Sequence, residues 1–420
     1  MLRQAQHERE FLNHSQSLSA RPDSSTGSEL KAVEEDCREA SRTVEGLFKG
    51  FFSNLRRLSL LVIAIACAAI DEPCAASAAE FHLETFLRGL NTPWAIDFAP
   101  DGRIFLSERP GRIRVVERGQ LRAEPWLALE VAASGEAGLM GLAIDPQFSQ
   151  NRFVYVAYSH QTRGFGVRNR LARLREDPKS ASGVIDKILI DDIPGANNHD
   201  GGRVKFAPDG KLYWTMGDAQ TTRYAQNLKS LNGKILRLNS DGSIPTDNPI
   251  ANSYIYSYGH RNPQGLAWQP GSRRLYATEH GPSGFQGCCR DELNFIEAGK
   301  NYGWPEIRGD ETKEGMMPPV IHSGNSETWA PSGATFVSSG PWAGSLLFTG
   351  LRGQTLYRVI FDPNDPRKVE KLERHFERQF GRLRDIVEGP DKALYLLTSN
   401  HDGRGRPSAE DDRVIRIIVK

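Results

Sequence analysis

The chain has 420 residues, with 53 basic and 52 acidic side chains, a net charge of +1 and 39% hydrophobic residues. That balance lacks the positive surplus of a general polyanion binder, so a neutral or weakly charged ligand is expected and nucleic acid is not. The 40 glycines and 24 prolines favour turn-rich, all-β structure over helices or disorder. The length does not force a second core, because propellers and barrels often exceed the average domain.

In chain order, residues 1 to 50 are polar, mixed in charge and without periodicity, and no fold is expected of them. Such a stretch is odd ahead of an export signal and is what a start codon assigned too far upstream produces. Arg56 and Arg57 then precede an apolar run from Leu58 to Ile70 and the small residues Ala75-Ala76-Ser77-Ala78-Ala79. This is the layout of a secretory signal peptide, spanning about 50–78. The run is short for a membrane span and is followed at once by Asp71 and Glu72, so cleavage near Ala78 is expected rather than an uncleaved anchor. Cys67 follows Ala64-Ile65-Ala66, a poor setting for lipid attachment. The expected division is an extension with signal peptide over 1–79 and a periplasmic or secreted domain over 80–420. Of the five cysteines, only Cys288 and Cys289 fall in that domain, as a vicinal disulfide or as two loop thiols. Too few ligands lie near them for a zinc site.

From about Phe81 onward a unit recurs. Ala99-Pro100-Asp101-Gly102-Arg103-Ile104-Phe105-Leu106 resembles Ala207-Pro208-Asp209-Gly210-Lys211-Leu212-Tyr213-Trp214, and Gly389-Pro390-Asp391-Lys392-Ala393-Leu394-Tyr395-Leu396 is a third copy. Weaker copies start at Pro146, Pro270 and Pro341. Proline presets φ at the first turn position and Asp-Gly supplies the reversal, so each copy reads as a turn entering a strand. A spacing of roughly 45 to 70 residues leaves room for several strands per unit, which fits propeller blades better than a sandwich. Loops gathered at one end of a propeller's channel then carry the chemistry.

Five polar, glycine-rich stretches fall between the repeats: 135–142, 197–203, 259–265, 279–292 and 381–385. In the second, His199 and Asp200 sit among turn formers before a strand, where a histidine serves either as a general base or as a turn residue bonded to backbone. In the third, Arg261, Asn262 and Gln264 surround Pro263, a dense set of groups for a polar, planar ligand that could equally cap loops. In the fourth, Glu279, Gly281-Pro282, Asp291 and Glu292 offer carboxylate and backbone oxygens of the kind calcium takes, or form a solvated acidic loop. In the fifth, Arg382 and Arg384 alternate onto one face of a strand, as an anion clamp or a surface ion-pair set.

The ordered series Gly138-Leu139-Met140-Gly141-Leu142-Ala143, His199-Asp200-Gly201-Gly202-Arg203, Tyr258-Gly259-His260-Arg261-Asn262-Pro263-Gln264-Gly265, Glu279-His280-Gly281-Pro282, Asp291-Glu292-Leu293-Asn294 and Asn301-Tyr302-Gly303-Trp304-Pro305 resembles the soluble glucose and aldose sugar dehydrogenases that depend on pyrroloquinoline quinone. The resemblance runs from about Leu90 to Val419, nearest in shape to the bacterial periplasmic aldose sugar dehydrogenases. It implies a six-bladed β-propeller of four-stranded antiparallel blades, in agreement with the six repeats. It implies oxidation of the anomeric carbon of an aldose to a lactone, with electrons passed to a diffusible or membrane acceptor. By the same resemblance His199 is the base, Arg261 polarises a quinone carbonyl, Asn262 and Gln264 hold the ring, and Arg382 and Arg384 neutralise its carboxylates. The carbonyls of Gly281 and Pro282 would bind calcium.

Three departures stand out. Glu136 occupies a place where the family usually has glutamine, and Arg352 replaces a lysine near the cofactor. The loop from Gly281 to Asp291 is longer than usual and contains the cysteine pair, while Thr328 aligns with a cofactor-contacting hydroxyl. Competing readings are a dehydrogenase of another polyol or sugar-derived aldehyde, a non-catalytic propeller binding sugar or protein, and a calcium-dependent lactonase. Retention of His199 together with Arg261 speaks against the binding module, and the Arg382 and Arg384 clamp against the lactonase. The oligomeric state, monomer or homodimer, is left open.

Overall fold

A computed structural model describes residues 80–164, 166–283 and 287–420. The leader expected over 1–79, with its signal peptide and Cys67, lies outside the described residues, none of which forms a helix long and apolar enough to cross a membrane.

The regular secondary structure of the described residues is almost entirely strand. After β1 (Phe81–Leu87), the first blade contains β2 (Pro93–Phe98), β3 (Ile104–Glu108) and β4 (Arg112–Glu117), with β5 (Gln120–Leu121) and β6 (Leu127–Ala128) sharing the outer place against β4. The second is β7 (Leu139–Ile144), β8 (Phe153–Thr162), β9 (Gly166–Glu176) and β10 (Gly183–Pro194), and the third β11 (Val204–Phe206), β12 (Leu212–Met216), β13 (Lys234–Leu238) and β14 (Ile255–Tyr258). The fourth is β15 (Pro263–Trp268), β16 (Leu275–Glu279), β17 (Glu292–Ile296) and β18 (Ile321–His322), and the fifth β19 (Pro331–Phe336), β20 (Leu346–Gly350), β21 (Leu356–Phe361) and β22 (Val369–His375). In the sixth, β23 (Leu383–Glu388), β24 (Leu394–Thr398) and β25 (Val414–Val419) are completed by β1, with Phe81 opposite Val419. The fold is a six-bladed β-propeller whose N-terminal strand closes the ring, which removes the free edge that β25 would otherwise present.

All six repeats fall between the first and second strands of successive blades. The three strong copies share one hydrogen-bond pattern. Ala99 N donates to Arg103 O and Gly102 N to Ala99 O, and Ala207 with Lys211 and Gly389 with Ala393 do the same. The last turn position has φ of +87° at Gly102, +76° at Gly210 and +65° at Lys392. Glycine is favoured there because a Cβ resists the left-handed region, and Lys392 adopts it without that advantage.

First strands of neighbouring blades pack side by side around the axis, and apolar clusters fill the wedges between blades, such as Tyr276 and Leu293 of the fourth against Ala334, Phe348 and Tyr357 of the fifth. Gly141 lies against the Gly202 carbonyl and Gly333 against Asp385, where a Cβ would overlap them. The axis itself is filled. Arg203 pairs with Asp385 at 2.8 Å, donates to Gln264 O at 2.9 Å and lies 4.3 Å from the Trp94 ring. This buried cross-link ties strands of the first, third, fourth and sixth blades beneath the site.

Candidate active site

Opposite the Pro-Asp-Gly turns, the loops leading into first strands and those joining second to third strands surround a pocket of about 580 Å³. Glu136, His199, Arg261, Gly281, Pro282, Asp291, Thr328, Arg352, Arg382 and Arg384 all line it. Residues expected from five separate loops are thus brought together.

His199 enters from the β10–β11 loop with φ +66°, and Gly217 fits beneath its carbonyl where any Cβ would collide. Its Nδ1 lies 2.8 Å from Asp218 Oδ1, at the end of β12. Asp218 is itself fixed by the Trp304 indole N–H at 2.9 Å and by Gln220 N at 2.8 Å. A carboxylate on Nδ1 holds the proton there and leaves Nε2 as the acceptor, with no hydrogen-bond partner for it among the described residues. The neighbour Asp200, grouped with the catalytic residues from sequence, points elsewhere. Its Oδ1 accepts from Asn169 at 2.7 Å and Ala196 N at 3.0 Å, so Asp218 and not Asp200 orients the imidazole. Burial pushes the Asp200 carboxyl up to about 7, against the hydrogen bond from Asn169.

Glu136 is a hub. Its Oε2 accepts from His199 N at 3.2 Å, Asn262 Nδ2 at 3.1 Å and Gln264 Nε2 at 3.4 Å, and its Oε1 pairs with Arg404 at 3.0 Å. Burial raises its carboxyl, but the field of His280, His199 and Arg404 overcomes this and holds it at about 2, so Glu136 is an anion near neutral pH. Burial lowers His280 to about 4, leaving it neutral, with Nε2 buried and unbonded among the described residues. Asn262 and Gln264 are not in the pocket wall. Asn262 accepts from Gly201 N at 3.0 Å and Gln264 Oε1 accepts from Arg384 at 2.7 Å, so both brace the floor by holding Glu136 and Arg384.

The remaining wall is cationic. Arg261 lies 5.3 Å from the Trp304 ring and donates to His280 O at 3.2 Å, and burial lowers its affinity for its proton. Arg382 is held by Asp402 at 2.7 Å. Arg384 Nε and Arg109 Nε are buried without an acceptor among the described residues. Burial lowers Arg384 to about 9, with Arg382 and Arg109 adding to the fall and Asp402 opposing it. A wall of buried, under-compensated guanidinium groups fits a planar ligand carrying several carboxylates, as pyrroloquinoline quinone does.

The three carboxylates expected around calcium do not converge on an ion. Asp291 accepts from Gly281 N, Thr328 Oγ1, Trp329 N and Ala330 N at 2.7–3.0 Å. Glu279 takes Arg261 N and His260, and Glu292 takes Gly309 N and Asn294. Among the described residues no group of three or more His, Cys, Asp or Glu is placed to hold a metal. Gly281 and Pro282 line the pocket beside Asp291, which anchors the Gly281 N–H, and backbone and carboxylate oxygens are the donor types a hard cation takes. Cys288 and Cys289, farther along this loop, are joined in a disulfide. Sequence reasoning singled out neither Asp218 nor Arg109, Asp402 and Arg404. Each sits just past the end of a second strand, and that position, once blades are assigned, is the signal that would have found them.

A pocket lined by arginines, with an imidazole oriented by a carboxylate, thus lies at one end of a six-bladed propeller. The chain belongs to the glucose/sorbosone dehydrogenase family, whose model matches residues 90–414. It is 35% identical to a solved aldose sugar dehydrogenase from Streptomyces coelicolor in its PQQ-bound form, with a TM-score of 0.72 over 81% of this chain and 99% of that one. It is 32% identical to the aldose sugar dehydrogenase YliI of Escherichia coli, over 83% of this chain and 98% of that protein. To the quinoprotein glucose dehydrogenase B of Acinetobacter calcoaceticus it is 28% identical, over 82% and 90%. The family resemblance carried by the loop motifs is therefore borne out.

Proposed function

We propose that this chain is an exported quinoprotein that oxidises the anomeric carbon of aldoses to lactones and passes the electrons to a separate acceptor. The observation that carries the reading is His199 Nε2, freed by Asp218 on Nδ1 and facing a pocket walled by buried arginines. When bound, pyrroloquinoline quinone supplies a two-electron acceptor for the hydride that leaves the sugar C1. His199 Nε2 removes the proton of the anomeric hydroxyl, and Asp218 stabilises the imidazolium that results. Arg261 supplies a permanent positive charge where negative charge develops. Arg382, Arg384 and Arg352 would neutralise the cofactor carboxylates, and the Gly281 and Pro282 carbonyls would hold calcium against it. Glu136, held as an anion, accepts the backbone N–H of His199 and so fixes the loop that carries the base without itself being the proton acceptor.

The test is titration of the apo protein with pyrroloquinoline quinone and calcium, followed through tryptophan fluorescence, since Trp304 lies against Arg261 in the pocket wall. Saturable binding with aldose-dependent dye reduction is expected. Absence of quinone binding overturns the reading, and quinone binding without reduction by any aldose leaves only a ligand-binding propeller.

A further inference from the structure

A second hollow of about 780 Å³ adjoins the catalytic pocket and shares Thr328, Arg352, Arg382 and Arg404 with it. Its lining holds seven arginines against three carboxylates, in a chain whose net charge is only +1. Four of those arginines are spoken for: Arg374 pairs with Glu327, Arg382 with Asp402, Arg404 with Glu136 and Arg413 with Asp411. Arg352, Arg378 and Arg406 are exposed and have no ion-pair partner among the described residues, and Glu377 is the one lining carboxylate outside the pairs. Arg352 also borders the catalytic pocket, so Arg378 and Arg406 are the two exposed guanidinium groups that belong to this hollow alone, with Glu377 as the one unpaired carboxylate beside them among the described residues. They are a good anion trap, because a guanidinium fork matches a carboxylate or phosphate.

The rest of the lining narrows the ligand. Ser326, Gln354 and Gln379 add uncharged hydrogen-bonding groups, and Phe380 is the single aromatic side chain. Such walls suit a polyhydroxylated ligand better than an apolar quinone. The volume accommodates one or two sugar rings.

We propose that this hollow is a substrate subsite for an acidic sugar unit, a uronate or a phosphorylated sugar, joined to the aldose whose reducing end enters the catalytic pocket. The inference rests on the sugar-oxidising reading for what occupies the neighbouring pocket. Arg378 and Arg406 then bind the anionic group, and Arg352 stands at the junction of the two sites.

The test compares digalacturonate with maltose on the quinone- and calcium-loaded protein, by calorimetry and by dye reduction, for the wild type and the Arg378→Ala/Arg406→Ala double variant. Expected is binding of digalacturonate at least about tenfold tighter than maltose, weakened by ~0.5 M salt and reduced to parity in the variant. In kinetics the variant should raise KM for digalacturonate and leave kcat and KM for glucose unchanged. Equal affinity for the two disaccharides, or an unaltered preference in the variant, overturns the proposal. A variant that raises KM only for an anionic dye such as ferricyanide also overturns it, by giving the hollow to the electron acceptor. Preferential binding of digalacturonate with no aldose oxidised would keep the subsite and sink the dehydrogenase reading, so the two failures are distinct.

Discussion

Asp218 and Asp200 show how far adjacency in sequence misleads about chemistry. Asp200 follows His199 directly, yet the left-handed φ at His199 and the glycines after it turn its carboxylate toward Asn169. Asp218 arrives from the next loop and takes the imidazole. Asp218→Asn is therefore expected to lower turnover by ~10²-fold or more, because an amide can present N–H to Nδ1 and fix the wrong tautomer. Steady-state kinetics at saturating quinone would show this, and unaltered turnover would remove Asp218 from the mechanism. Asp200 makes a different prediction. Its carboxyl stands at about 7 when folded against an ordinary 3.8, so the folded state keeps a proton that the unfolded chain releases across that interval. The stability tied to Asp200 is full below pH 4 and is lost as pH rises through 7. Asp200→Asn should accordingly gain melting temperature relative to wild type from pH 4 to pH 8, and a margin constant across that range would contradict the assignment.

At the scale of elements, the Pro-Asp-Gly turn was the most legible feature, because a tight reversal is decided by a few adjacent residues. That locality is why three strong and three weaker copies marked the first hairpin of six blades. The outer strands were far less visible. β5 and β6 are two residues each, and β18 is as short, so no run of alternating residues announces them. The loop residues were legible by type but not by partner: Asn262 and Gln264 were expected against the ligand, and they stand outside the pocket lining, bonded to Glu136 and Arg384 from other blades. The third turn offers a direct check. Lys392 holds φ +65° where the other strong copies have glycine. Its exposed side chain makes only a 3.0 Å bond to Ser338 and a 4.0 Å contact to Glu388. Lys392→Gly should stabilise the protein by up to about 1 kcal/mol in denaturant unfolding, and a loss of stability would show that those surface contacts outweigh backbone strain.

For the whole molecule, the ring and the site depend on one another. The arginines of the pocket come from the first, fourth, fifth and sixth blades, and His199 from the loop into the third, so only a closed ring assembles them. Closure rests on β1, whose Phe81 packs edge-on to Trp342 at 5.3 Å and whose backbone covers β25. Deleting residues 81–87 should lower the melting temperature and produce higher-order species in size-exclusion chromatography, because β25 becomes an exposed edge. An unchanged, monodisperse protein would mean that the ring holds without it.

The central claim is that His199 is the base of a quinone-dependent sugar oxidation. It is tested most directly by comparing the wild type with His199→Ala, both reconstituted with pyrroloquinoline quinone and calcium to equal quinone occupancy, for aldose-dependent dye reduction. Equal quinone affinity and a fall in kcat of roughly 10²- to 10⁴-fold are expected in the variant. Equal turnover in the two proteins would contradict the claim.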